Sequence, residues 1–332
     1  MSTKTLIEAN IEPLQRYIPE VEVIAVRKQI AEHVKALYGS RERYSSISLK
    51  PTGKKTIIYP FFDWHFGEII RRKLKQNYQI IHSYNFEESH KRMDRYVSEG
   101  IKYMQSFPKG TFDEIVFALG GDLADGNGNI YTGQVRHLQA QFWTQFFEVF
   151  KSIRRQIYRL QDVFGTVVPI NIYSVPGNHG ESRGVISDPL EDNLDTSVAR
   201  LLNDWIQDQK VKNVKIEYDE TSPMIDFEVK GHKFAMVHEM PTNLLTPAAK
   251  NKIKTISIDR NPEVVLTGHI HEMTITTEGK TKVVRVGGAP GPNAYSETLY
   301  IPYGAAEQTI IVASKERALE NIMPINLSKT AA

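Results

Sequence analysis

The chain has no cysteine among its 332 residues. Disulfides and thiolate metal sites are therefore excluded, and any bound metal must sit on His, Asp, Glu or Asn. The same absence suits a reducing compartment. No apolar run reaches the roughly 18 residues of a membrane-spanning helix, so no membrane association is expected. The polar start Met1-Ser2-Thr3-Lys4-Thr5 leads into no apolar stretch, and a cytoplasmic protein without a secretory leader is the expectation. Internal repeats and low-complexity segments are also lacking. Neither sign of charge dominates: 41 Lys and Arg stand against 39 Asp and Glu, a net +2. A protein that coats DNA would be far more basic. An enzyme that touches a polyanion briefly remains compatible with this balance.

What is present is the composition of an ordinary globular protein, 41% hydrophobic and 24% charged. The organisation reads as a helical appendage and linker over 1–50 and one catalytic domain over 51–332. Within the appendage, Val23, Val26, Ile30, Val34 and Leu37 recur at helical spacing and Gly39 supplies a stop. The segment 40–55 is polar and basic. From Thr56, strands and helices alternate. Apolar runs over Thr56–Phe62, Glu114–Leu119 and Val167–Val175 read as strands. Helices are expected over Phe86–Met104, along the stripe from Leu138 to Leu160, and around Leu194, Val198, Leu201 and Trp205. The second half reads mainly as strands, at Val214–Tyr218, Ile225–Val229, Lys233–His238, Val264–Thr267, Met273–Thr277, Lys282–Val286 and Thr309–Val312. Gly231 and Gly279 mark turns between them. This order predicts an α/β fold of two packed mixed β-sheets flanked by helices.

The polar residues that carry chemistry fall just after these apolar runs, where strand ends place ligands. Asp63-Trp64-His65 offers two ligand types two residues apart, which extended backbone would point to one side. Gly120-Gly121-Asp122-Leu123-Ala124-Asp125 is a glycine-rich turn with two carboxylates, and the two oxygens of Asp122 could bridge two cations. It is no EF-hand loop, because the twelfth position from Asp122 is Gly133 rather than an acid. Gly177-Asn178-His179 follows a Pro-Gly turn signal and offers a neutral oxygen and an imidazole. His238 ends the run Phe-Ala-Met-Val. In Gly268-His269-Ile270-His271 the two imidazoles can point the same way or splay onto two adjacent ions.

Taken in this order, the five blocks resemble the signature of the calcineurin-like metallophosphoesterase superfamily: D-x-H, GD-x-x-D, GNH, a single H, and GH-x-H. They span residues 63–271. The resemblance implies a two-metal phosphoester hydrolase. One metal would be held by Asp63, His65 and His271, the other by Asn178, His238 and His269, with Asp122 shared. Two divalent ions are implied, manganese foremost, with iron, zinc or nickel as alternatives of the same ligand preference. A bridging water would attack phosphorus in line, His179 would serve the leaving oxygen, and Asp125 would orient its imidazole. The superfamily pattern often has an acid after the Asn-His pair, where this chain has Gly180.

Within the superfamily, the resemblance points to the SbcD/Mre11-type nuclease branch and to short phage-type relatives, carried by Asp63-Trp-His-Phe-Gly and the Gly287–Tyr295 loop. It implies nucleic acid as substrate and, by analogy, an SbcC/Rad50-like ATPase partner. The alternative is a small-molecule phosphodiesterase or phosphatase acting on nucleotides or cyclic nucleotides. Arg71, Arg72 and Tyr295 are the candidate substrate-binding residues. Further basic clusters, at Lys151, Arg154, Arg155 and Arg159 and at Lys250, Lys252 and Lys254, could track a phosphate backbone. Trp64, Phe66, Tyr131 and Trp143 could stack on bases.

Overall fold

The structure is a computed structural model, and it describes residues 54–73, 80–181, 189–240, 244–293 and 305–328. The chain divides into two compact units, Met1–Ser45 and Ser46–Ala332. The first unit, with the helices and most of the linker expected over 1–50, lies outside the described residues.

The larger unit contains two sheets. One has six strands in the order β13-β12-β1-β4-β5-β6. These are β1 (Lys55–Phe61), β4 (Phe112–Leu119), β5 (Ile170–Ser174), β6 (Val214–Tyr218), β12 (Glu307–Ser314) and β13 (Asn321–Asn326). The four strands β1, β4, β5 and β6 run parallel, and β12 and β13 close one edge antiparallel. The other sheet has five strands in the order β10-β11-β9-β8-β7. These are β7 (Met224–Val229), β8 (His232–Val237), β9 (Val264–Thr267), β10 (Thr274–Glu278) and β11 (Thr281–Arg285). Lys230 and Gly231, both at positive φ, turn β7 into β8, and Gly279 turns β10 into β11. β2 (Ile70–Lys73) and β3 (Ile80–Tyr84) pair antiparallel as a separate two-stranded sheet.

The sheets pack face to face through alternating apolar residues. Ile58, Phe62, Val116, Ala118 and Ile311 of the first meet Phe227, Phe234, Met236, Val264, Leu266 and Val284 of the second. The Tyr173, Phe227 and Phe234 rings stack in series at 4.3 and 5.4 Å. Three amphipathic helices, α1 (Phe86–Gln105), α2 (Phe142–Phe164) and α3 (Leu194–Asp208), accompany the first sheet. Tyr96 of α1 meets the rings of Tyr59 and Phe61 of β1 edge-on at 5.6 and 5.4 Å. A fourth helix, α4 (Pro247–Asp259), covers the outer face of the second sheet with Ile253 and Ile256, against Ala235, Val237, Val265 and Val283. The fold is thus the expected one, two packed mixed sheets flanked by helices.

The contact between α1 and α2 changes the reading of one basic cluster. Arg155 and Arg159 of α2 pair with Asp94 of α1 at 2.7 and 3.4 Å. Lys151 reaches Glu148 at 2.7 Å, and the Arg154 guanidinium sits over the Phe150 ring. Arg155 and Arg159 thus tie the two helices together, while Lys151 and Arg154 contact residues of their own helix, so the cluster is largely engaged within the protein. Glu148 is also bonded to His90 of α1, at 2.7 Å. Burial works to raise the Glu148 carboxyl, but the bonds from His90 and Lys151 outweigh it and bring it down from 4.5 to about 2. A carboxyl depressed in the folded state stabilises above its unfolded value and stops doing so as pH falls through the folded one. Glu148→Gln is therefore expected to lower the denaturant midpoint at pH 7. The gap from the parent should narrow as pH falls from 4.5 to about 2. Equal midpoints at pH 7 would show that this link between the helices contributes nothing.

Candidate metal centre

Strand ends bring the five sequence blocks together. β1 ends at Phe61 and β4 at Leu119, next to each other in the sheet, so Asp63 and Asp122 emerge side by side. β5 delivers Asn178, β8 delivers His238 and β9 delivers His269 and His271. The two loops after β1 and β4 then zip together: Asp63 N–H donates to Gly121 O at 3.2 Å, and His65 N–H to Asp122 O at 3.0 Å.

One expectation about this geometry is corrected. Asp63 and His65 do not converge through extended backbone; their φ angles are 52° and 44°. Asp122, His269 and His271 are left-handed as well, at 51°, 75° and 57°. Five of the nine non-glycine residues at positive φ among the described residues are thus candidate ligands. Asp and His tolerate this region better than most residues, but it costs free energy and persists where the surroundings over-determine it. The strain folds each loop back so that its side chains turn into one spot.

The side chains form three overlapping clusters of ligand atoms: Asp63, His65 and His271; His65, Asp122 and His179; and Asp122, His238 and His269. His65 Nε2 lies 3.0 Å from His271 Nε2, and the latter is 3.5 Å from Asp63 Oδ1. His238 Nε2 lies 2.9 Å from Asp122 Oδ2 and 3.2 Å from Asn178 Oδ1. His269 Nδ1 is 2.8 Å from the same Asn178 oxygen. The Gly268–His271 block therefore splays: His269 joins Asn178 and His238, while His271 joins Asp63 and His65.

Outer partners set the imidazoles. His238 Nδ1–H donates to Gly120 O at 2.9 Å, which leaves the Nε2 lone pair facing inward. His65 presents Nδ1 to Asp125 Oδ1 at 3.2 Å, with the same result at its Nε2. Asp125 Oδ1 also lies 3.2 Å from His179 Nδ1, and Gln134 Nε2 donates to the Asp125 carbonyl. Asp125 thus orients two histidines rather than the one foreseen.

These residues fit divalent cations. Asp63 Oδ1 is buried with no hydrogen-bond partner, though three imidazole Nε2 atoms lie within 3.9 Å of it. Two facing ring nitrogens at 3.0 Å and a donor set of carboxylate, amide oxygen and imidazole match borderline cations. The local field is strongly negative. Burial opposes a charge on His238, but Asp122 and Asp63 more than offset it and push the imidazole up to about 10. His179 is pushed up to about 9 against burial, by Asp122 and Asp125. Burial and neighbouring imidazoles instead hold His65 and His269 below the usual imidazole value.

Exposure shows where the centre opens. Asp63, His65, Asp122 and His238 are buried, whereas His179, His269 and His271 are 12, 34 and 28% exposed. Those three histidines form the mouth. Among the other site candidates, Arg71 is exposed on β2. The Arg72 side chain and Tyr295 lie outside the described residues. Trp64 and Phe66 are fully buried and stacked on each other, so they are core residues and not base platforms.

Three buried side chains at the centre were not foreseen. Glu68 accepts from Asn293 at 2.7 Å, and burial together with Asp125 pushes it up to about 8. Gln145 bonds both backbone groups of Gly126. Asp195 accepts from the backbone N–H of Asp122, Leu123 and Gly177, and burial together with the Asp122 charge pushes it up to about 6. Only an N-cap signal, Asn193 before an apolar stripe, marked its surroundings. The departure at Gly180 has a steric reason: a Cβ there would meet Asn193 Oδ1 at 2.2 Å.

Fold and site together place a cluster of candidate metal ligands at the strand ends of two packed mixed sheets. The family model of the calcineurin-like phosphoesterase superfamily domain matches residues 147–303. That range holds Asn178, His179, His238, His269 and His271; the structure brings Asp63, His65 and Asp122 to them from outside it. Among solved structures, a novel archaeal phosphodiesterase is 12% identical, with 82% of this chain and 99% of that chain covered and a TM-score of 0.38. A predicted phosphoesterase from Streptococcus pneumoniae TIGR4 is 10% identical, with 82% and 97% covered and a TM-score of 0.32. Zinc-complexed Vps29 from Entamoeba histolytica is 8% identical, with 82% and 99% covered and a TM-score of 0.31. No curated protein matches the chain.

Proposed function

We propose that the chain is a two-metal phosphodiesterase that cleaves nucleic acid. The observation that carries the metal-dependent reading is the convergence of three ligand clusters, all drawn from the seven foreseen ligands and His179, around a buried Asp63 oxygen that has no hydrogen-bond partner. Asp63, His65 and His271 would hold one cation, Asn178, His238 and His269 the other, and Asp122, which belongs to two of the clusters, would be shared. Bound there, the cations supply Lewis-acid polarisation of the phosphoryl oxygens and a water of lowered pKa.

The chain's own residues do the rest. Asp125 holds His65 and His179 through their Nδ1 atoms. The other nitrogen of His179 would give a proton to the leaving oxygen. His179, His269 and His271 are the partly exposed residues of the centre, from which substrate would approach. The exposed Arg71 stands on β2, which follows the His65 loop, where it can meet a phosphate flanking the scissile one. A nucleotide-sized diester is the second reading, and the internal pairing of Arg155, Arg159 and Lys151 favours it.

The test is a substrate comparison with manganese: single- and double-stranded DNA, RNA, a chromogenic diester and a chromogenic monoester, each with an Asp122→Ala control. Nucleic-acid cleavage and diester hydrolysis are expected, both lost in the control. Hydrolysis of the small diester alone would select the second reading. Turnover of none of them, in a protein that takes up the metal, would overturn both.

A further inference from the structure

The carboxylate of Asp195 ties together the two loops that carry Asp122 and Asn178. Its Oδ2 accepts from Asp122 N–H at 3.0 Å and from Gly177 N–H at 2.9 Å, and its Oδ1 accepts from Leu123 N–H at 3.1 Å. The neighbouring Asn193 adds to the grip. Its Nδ2 donates to Gly177 O at 2.8 Å while its Oδ1 accepts from Asp195 N–H at 2.9 Å. Leu194 N–H donates to Gly180 O at 3.0 Å.

The three segments touch with no room for side chains. A Cβ on Gly121 would meet Gly177 N at 2.6 Å, and one on Gly177 would meet Asp122 Oδ1 at 2.2 Å. A Cβ on Gly180 would meet the Asn193 side chain. Hydrogen bonds and close packing thus agree that the start of α3 clamps both loops. The ligands touch the same clamp: Asp122 sits at φ 51° with its own N–H on Asp195, and Asn178 directly follows Gly177.

We propose that Asp195 is a positioning residue for the metal centre, holding the Asp122 loop against the Asn178 loop so that the His65 and His238 clusters form one site. The proposal rests on the reading of these clusters as a two-metal centre. Asp195 touches no ligand side chain with its carboxylate, so it acts through the backbone. In Asp195→Asn the shape is kept, but the amide nitrogen faces an N–H donor and at least one buried N–H loses its acceptor. Outer partners of metal ligands typically influence affinity by about 10–100-fold.

The experiment is a Mn(II) titration of the full chain, followed by calorimetry and electron paramagnetic resonance, on the parent, Asp195→Asn and Asp195→Glu. The parent is expected to take up two ions with an exchange-coupled spectrum. Asp195→Asn should unfold cooperatively like the parent, yet bind at least one ion about tenfold more weakly and show isolated-ion signals. Asp195→Glu should not rescue it, because the longer arm cannot reach all three N–H groups from the same helix position. Parent-like affinity and coupling in Asp195→Asn would overturn the proposal while leaving the metal centre intact. A parent that takes up no manganese, zinc or iron would instead overturn the two-metal reading itself. Should Asp195→Asn fail to fold, Asn193→Ala and Gly180→Ala displace the same clamp with the carboxylate kept. Weakened metal binding in either is the expected result, and parent-like binding in both sinks the proposal.

Discussion

Asp122→Ala is expected to lower turnover by about three orders of magnitude or more at saturating manganese, the scale on which metal-centred catalysis collapses when a unit loses a member. The magnitude follows from how many neighbours share this carboxylate. Its Oδ2 lies 2.9 Å from His238 Nε2, and its Oδ1 accepts from His179 N–H at 2.7 Å. It appears in two of the three ligand clusters. Its burial works against its charge, yet His238, His179 and His65 together hold the carboxyl well below the usual range. Alanine therefore strips two clusters of a charge at once and leaves the buried His238 with only the more distant Asp63, at 3.9 Å, as counter-ion. Asp122→Asn keeps the volume and one acceptor, and separates the loss of charge from any loss of fold. Metal stoichiometry by elemental analysis and a thermal melt accompany the rate. A purified Asp122→Ala protein with parent-like turnover would rule out the two-metal mechanism.

The legibility of this centre in the sequence has a physical cause. Each ligand sits one to five residues beyond an apolar run, and apolar runs announce strands. Parallel strands align their carboxyl ends, so five short blocks scattered over two hundred residues had one place to meet. What the sequence could not convey was the backbone by which they meet. Left-handed φ at Asp63, His65, Asp122, His269 and His271 is imposed by neighbouring loops and has no local signature beyond the tolerance of Asp and His for that region. Asp195 was hidden for a related reason. A first-turn acid looks like ordinary helix capping, and only the tertiary approach of two loops turns its carboxylate into their common acceptor.

Other omissions follow the same logic. β2 is Ile-Arg-Arg-Lys, with no alternation to mark a strand. β13 carries Pro324, which reads against a strand but is tolerated because β13 is an edge strand. α4 stands out in the sequence only as a run of lysines, yet Ala249, Ile253 and Ile256 form a buried stripe at helical spacing, and Lys252 donates to Glu239 O. In the α3 stripe, Leu202 rather than Leu201 is fully buried, a one-residue shift in the facing side. The basic helix misled for a more general reason: a charge run reads the same whether it faces a polyanion or the carboxylates of a neighbouring helix.

His179→Ala is expected to keep the metals and lose the chemistry, by about two to four orders of magnitude on substrates with poor leaving groups. Three features support this role for its ring. Nδ1 is held by Asp125, through Oδ1 at 3.2 Å and the backbone carbonyl at 3.1 Å. The ring packs edge-on against His65 at 4.4 Å between centroids, which keeps it beside the ligand cluster. Its side chain is 12% exposed, so the ring is within reach of solvent. A group that supplies a proton to the departing oxygen matters most when that oxygen is basic. The loss should therefore be large for an alkyl ester or a nucleic-acid linkage and small for a nitrophenyl ester, whose oxygen leaves without help. The measurement is a series of diesters graded by leaving-group pKa, with kcat taken for parent and variant. A steeper dependence in the variant is the expected outcome. A uniform drop across the series, with metal lost on elemental analysis, would instead assign His179 to the centre as a ligand, the role its place in the cluster with His65 and Asp122 would then represent.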